Sequence, residues 1–104
     1  VTYRILRHRD VAQDLLNIVD LIADYAGLDV AVRKLGEIEA CLGRLADTPH
    51  IGSVRDEIAP GLRAIPAARK AVICFTVDDE AKEVLVMSIT YAGADWYRAV
   101  GERG

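Results

Sequence analysis

Two consecutive runs, Ala71 to Val77 and Glu83 to Tyr91, are rich in valine, isoleucine and phenylalanine, and the stretch Asp78-Asp79-Glu80-Ala81 joins them. Side chains of this kind suit a pleated, half-buried surface, and a short polar stretch between two such runs predicts a β-hairpin. Successive side chains point to opposite faces of a strand. On strict alternation Ile73, Phe75, Leu85, Met87 and Ile89 share one face, and Val72, Cys74, Val84, Val86 and Ser88 share the other. Both faces are largely apolar. One can be covered by a helical layer; the other requires a partner, another part of the chain, or exposure. Large exposed apolar patches mark interaction sites, so Val72, Val84 and Val86 are candidate partner-binding residues before any chemistry is considered.

The covering layer is written upstream. Asp10 reads as a helix N-cap, and from Val11 the apolar residues Leu15, Ile18, Ile22 and Tyr25 recur at helical spacing, with Gln13, Asn17, Asp20 and Asp24 opposite. Leu16, Val19 and Leu21 widen this stripe beyond what one neighbour needs. Gly27 ends the helix. Asp29 then caps a second helix whose stripe is Ala31, Leu35, Ile38, Leu42 and Leu45, with Arg33, Lys34, Glu37 and Arg44 outside. So short a connection predicts an antiparallel helical hairpin.

A mixed run around Tyr3 to Arg7 predicts a first strand, residues Asp47 to Ser53 a loop around Pro49, Gly61 to Ile65 a further strand, and Gly93 to Val100 a short terminal helix. The order β-α-α-β-β-β describes an α+β fold, a small antiparallel sheet with an N-terminal helical hairpin packed on one face. At 104 residues it makes one domain spanning 1–104.

Composition narrows the function. The net charge of −3 argues against holding nucleic acid by phosphate neutralisation, and sequence-specific binding to nucleic acid is not expected. Cys41 and Cys74 lie in apolar surroundings and read as reduced, packed thiols of a cytoplasmic protein. No apolar run is long enough to span a membrane, and Val1-Thr2-Tyr3-Arg4 does not open a secretory signal. Phosphate loops, dinucleotide glycine patterns and paired metal-ligand spacings are absent. His8 and His50 read as surface residues, and Asp78-Asp79-Glu80 as a solvated turn rather than a metal site. No catalytic residue, metal or cofactor is therefore assigned. The basic residues are better candidates: Arg63, Arg69 and Lys70 flank a strand junction, Arg4 and Arg7 approach from the first strand, and such a cluster grips phosphates or carboxylates. Tyr91 and Trp96 are candidate partner-facing anchors.

In order and spacing, Tyr3-Arg4-Ile5, the helix pair, "LADTPHIG" from Leu45 to Gly52, Gly61-Leu62-Arg63-Ala64-Ile65-Pro66, the apolar hairpin and Gly93-Ala94-Asp95-Trp96 resemble the ParE branch of the ParE/RelE toxin superfamily. The resemblance implies the toxin of a type II toxin–antitoxin system, which inhibits DNA gyrase by protein–protein binding and is neutralised by a ParD-like antitoxin wrapped around it. The alternative within the superfamily is a RelE-like ribosome-dependent mRNA endonuclease. Such nucleases carry basic groups in and after the last strand to activate the 2′-hydroxyl and stabilise the charged phosphorane. Here those places hold Ser88, Tyr91, Ala92, Gly93 and Ala94, leaving Arg63 as the one matched basic position. That pattern implies a binding inhibitor rather than an enzyme, or an attenuated relative that only binds its antitoxin.

Overall fold

Gly27 decides how the helices meet. In the computed structural model, which describes residues 2–92 and 96–103 with the side chains at 96–99 excepted, α1 (Val11–Ala26) and α2 (Leu28–Arg44) are separated by this residue alone. Its φ of 94° and ψ of 160° belong to a region essentially open only to glycine. The N–H of Gly27 closes α1 on the Ala23 carbonyl, and its own carbonyl accepts from Ala31 in α2.

The two capping expectations are corrected in detail. Asp10 holds the N-cap position of α1 but makes no side-chain cap bond; its N–H donates to His8 Nδ1 at 3.1 Å. Gly27 takes the N-cap of α2, which puts Asp29 inside the first turn, where its charge still favours the positive helix end. The buried stripes agree with the periodicity: Val11, Leu15, Ile18 and Ile22 from α1 face Ala31, Ile38, Cys41 and Leu42 from α2. Tyr25 departs from the stripe and is exposed.

Against this hairpin lies a five-stranded sheet in the order β1-β5-β4-β3-β2, formed by β1 (Arg4–Arg7), β2 (Ser53–Val54), β3 (Arg63–Ala67), β4 (Ala71–Asp78) and β5 (Glu83–Tyr91). The α+β class and the helical hairpin on one face are as expected. The sheet is mixed, however: three of its pairings are antiparallel and β1 runs parallel to β5. Parallel pairing needs a long crossover connection, and the helical hairpin forms part of the one between these strands. Strand β2 was not expected, because two residues are too few for alternation to register. In β3, Pro66 lies beyond the stretch paired to β2, so its missing N–H disturbs no ladder on that side.

A bulge overturns the assignment of faces. Pairing passes from Cys74↔Ser88 to Phe75↔Val86, so Met87 is an extra residue. One inserted residue moves everything beyond it to the other face. Val84 and Val86 therefore join Ile73, Phe75 and Ile89 in the core under the helices, both with no exposed surface. Their expected role as surface partner-binding residues is wrong for this reason. The second face carries Cys74, Ala64 and Leu62, and the chain covers these itself with Val100 of α3 (Trp96–Arg103) and with Ile58 and Ala59. Val72 lies half-buried in that cluster. The terminal helix is thus present; residues 93–95, where it was expected to begin, lie outside the described residues.

Candidate interaction site

Most of the exposed large apolar side chains lie on the helices, with Leu6 and Val54 left bare on the sheet's two edge strands. Leu16 and Leu21 on α1, Leu28 and Val32 on α2, and Tyr25 near the helical turn are exposed by 45–64%. Their physical origin is the widened stripe: a helix packed on one sheet and one neighbouring helix cannot bury so broad an arc of apolar residues. Leu16, Val19 and Leu35 line an apolar groove where α1 and α2 meet, with Ala12 beside them. At its margin Arg7 forks onto Glu39 at 2.7 and 3.1 Å. Arg4 likewise bonds Glu83, so neither first-strand arginine contributes to a basic cluster.

Past the helical turn, the β3–β4 hairpin brings Arg69 and Lys70 beside Lys34, Tyr25 and Tyr91 around a shallow hollow. The turn holds Ala68 at φ 49° and Arg69 at φ 71°, left-handed conformations that cost L-residues free energy. Tyr25 and Tyr91 share a hydroxyl hydrogen bond of 3.2 Å. That bond, reinforced by burial and the Glu37 charge, pushes the Tyr91 phenol up to about 12, with Arg69 pulling the other way. Tyr91 is therefore a neutral donor, poorly suited to be a base at physiological pH.

Three of the expected site residues, Arg69, Lys70 and Tyr91, are thus brought together, and Lys34 and Tyr25 join them. Lys34 was read only as an outward charge on α2 and Tyr25 as part of the buried stripe; nothing in the local pattern ties them to a turn so distant in sequence. Arg63 is elsewhere, at the far end of β3, where its Nη1 donates to the His50 carbonyl at 3.1 Å. Trp96 has its side chain outside the described residues.

The loop that Arg63 holds is clasped from its other side. His50 Nε2 and Tyr3 Oη both lie 2.7 Å from the same Asp79 oxygen, and the Tyr3 and His50 rings meet edge-on with centroids 6.0 Å apart. The Tyr3 hydrogen bond, followed by His50 and Lys82, holds the Asp79 carboxyl below its ordinary value. His50 is therefore a surface residue, as expected, but one that ties the residue before β1, the loop and the β4–β5 turn together. Cys74 and Cys41 are both buried and unpaired. Burial pushes the Cys74 thiol up to about 11 against a smaller opposing effect of Ser88, which leaves it a poor nucleophile.

A family model described as the ParE toxin of type II toxin–antitoxin systems, parDE, matches residues 5–96. Toxin ParE3 of Caulobacter vibrioides is 35% identical over 60 residues, which cover 58% of this chain and 60% of that relative's length. A chain of the chromosomal ParDE system of P. aeruginosa superposes with a TM-score of 0.74 at 23% identity, over 88% of this chain and 97% of that one. A free-state RelE mutant from E. coli gives 0.66 at 15% identity, over 98% of both chains. A chain of the RelBE2 toxin–antitoxin complex of Mycobacterium tuberculosis gives 0.62 at 18% identity, over 88% of this chain and 93% of that one. At such identities these structures speak for the fold alone.

Proposed function

The chain belongs to the ParE toxin family of type II toxin–antitoxin systems, and from that premise we propose that it is a non-enzymatic inhibitor that acts on DNA gyrase by protein–protein binding and is neutralised by a ParD-like antitoxin. The observation that carries this reading is the exposed apolar surface of the helical hairpin, with Leu16 beside the α1–α2 groove, Leu28 and Val32 on α2, and Leu21 on the side of α1 that faces β5. Surface of this kind is suited to an ordering segment that lays its own apolar residues into a groove. We assign that role to the antitoxin, with the groove of Leu16, Val19 and Leu35 as its seat. The chemistry of β5 agrees: beyond Val86 it offers Ser88, Thr90 and Tyr91 instead of the cationic groups that RNA cleavage calls for.

Induced expression in bacteria, with and without the neighbouring reading frame, tests the reading when followed by assays with purified protein. Inhibition of gyrase supercoiling that the partner relieves is the expected result. Ribosome-dependent mRNA cleavage with gyrase untouched would instead establish the RelE-like endonuclease. Partner binding with no toxicity would identify an attenuated relative.

A further inference from the structure

We propose that the hollow between α2 and the β3–β4 turn is a carboxylate-binding site, where Arg69, Lys70 and Lys34 grip acidic side chains of a protein segment that continues onto the neighbouring face of α1. The proposal rests on the reading of the chain as a protein-binding toxin and names the chemistry of what it binds.

Charge is the first argument. The charged residues lining the hollow are all cations, in a chain whose net charge is −3. Lys34 is partly compensated by Glu37 at 3.5 Å, whereas Arg69 and Lys70 have no ion pair among the described residues. The second argument is conformational. A tight hairpin turn with two successive positive φ values is built most easily from Asn-Gly, yet this one uses Ala68 and Arg69 at 49° and 71°. An arginine kept where glycine or asparagine would relieve strain points to use of its guanidinium. The third is donor geometry. The Tyr25–Tyr91 pair has two hydroxyl protons and spends one on its internal bond, leaving the other free to donate to an anion. A guanidinium fork, ammonium groups and a phenol together match a carboxylate.

The surroundings select a peptide over nucleic acid. Tyr25 lines the hollow, and Leu21, one helical turn before it on α1, borders the neighbouring hollow that shares Tyr91; both are exposed, so one segment with acidic and apolar residues can engage the cations and this face of α1 together. A nucleic acid would gain most from many phosphate contacts, which an acidic chain with one small basic hollow does not supply.

The test uses the full, isotope-labelled chain titrated with a hexaglutamate peptide and, separately, with hexauridylate RNA, observed by NMR. Hexaglutamate should shift the resonances of Tyr25, Lys34, Arg69, Lys70 and Tyr91, and raising salt from about 20 to about 150 mM should weaken it several-fold. The double variant Arg69→Asn, Lys70→Gln should lose about tenfold or more in affinity. Asparagine tolerates positive φ, so this variant should melt no lower than the parent chain, which separates lost binding from lost fold. Shifts elsewhere, unchanged affinity in the double variant, or hexauridylate outcompeting the peptide at these residues would each overturn the proposal. If hexaglutamate occupies the hollow while expression of the chain leaves growth and gyrase untouched, the site stands and only the parent reading fails.

Discussion

Among the described glycines, Gly52 alone has no room for a side chain. Its φ is +84°, and a Cβ there would press on Ile65 Cγ2 and lie 2.5 Å from the Ala64 carbonyl oxygen. Backbone cannot yield as the end of a flexible side chain can, so Gly52→Ala combines a disfavoured φ with overpacking and should cost roughly 2–4 kcal/mol. Urea denaturation is the measurement; a loss below about 1 kcal/mol would mean that the loop moves off β3 with ease. Asp79 offers a different check. Its carboxyl is held below the ordinary 3.8 by Tyr3 first and His50 after it, so it stabilises the fold above the ordinary carboxylate range. That contribution is lost as pH falls through the lowered value. Melting curves of the parent chain and Asp79→Asn should differ slightly at about pH 6 and converge near pH 2. A gap that persists at the acid end would assign the effect to something other than this ionisation. Neither residue's role could be read from its neighbours in sequence. Gly52 looked like loop material, and Asp79 like one of three solvated acids, because their partners come from β3, from the residue before β1 and from a loop far upstream.

Element by element, legibility tracked length. Sixteen- and seventeen-residue helices repeat their pattern often enough to be found with their buried faces, and the apolar hairpin was found because its strands run for eight and nine residues. The single extra residue at Met87 is invisible to an alternation count, yet it exchanges the faces of Val84 and Val86. It also leaves backbone groups that β1, ending at Arg7, does not reach. Asp14 and Arg103 meet them: Asp14 Oδ2 accepts the Ile89 N–H at 3.0 Å and Arg103 Nη1 donates to the Met87 carbonyl at 3.2 Å. The two side chains also form a forked ion pair of 2.5 and 2.8 Å, only 12% and 16% exposed. This pair joins α3 to α1 and to the bulge. Breaking one partner of a largely buried pair leaves an uncompensated charge, so Asp14→Asn should lower stability by about 2–3 kcal/mol. Asp10, half exposed and 3.6 Å from the same guanidinium, should cost about 0.5 kcal/mol or less when changed to asparagine. Denaturant midpoints of the two variants test the contrast. Equal effects would show that Arg103 reads the general field of both acids rather than the fork with Asp14.

For the molecule as a whole, the sequence held an excess of apolar residues without saying where the excess would surface. The sheet was the expected place, since both hairpin faces looked apolar; α3 and the segment around Ile58 and Ala59 cover the part of the second face that holds Cys74, Ala64 and Leu62, and most of the surplus emerges on the helices. Long-range closure of this kind depends on which elements pack together, and spacing within an element carries no record of it. The consequence can be tested at Leu16, which is 57% exposed and lines the helical groove. A side chain so exposed supports the fold little, so Leu16→Lys should change stability by no more than about 0.5 kcal/mol. An apolar anchor pressed into a partner is another matter: burying a lysine ammonium there without a counter-ion should weaken antitoxin binding by ~2 kcal/mol or more, some thirtyfold. The variant should also be less prone to self-association than the parent chain when each is purified alone, because a charge would interrupt the apolar surface beside the groove. Sedimentation of the isolated chains and calorimetric titration with the antitoxin read these effects separately. Unchanged antitoxin affinity with reduced self-association would leave that surface as a solubility liability and move the docking surface off the α1–α2 groove.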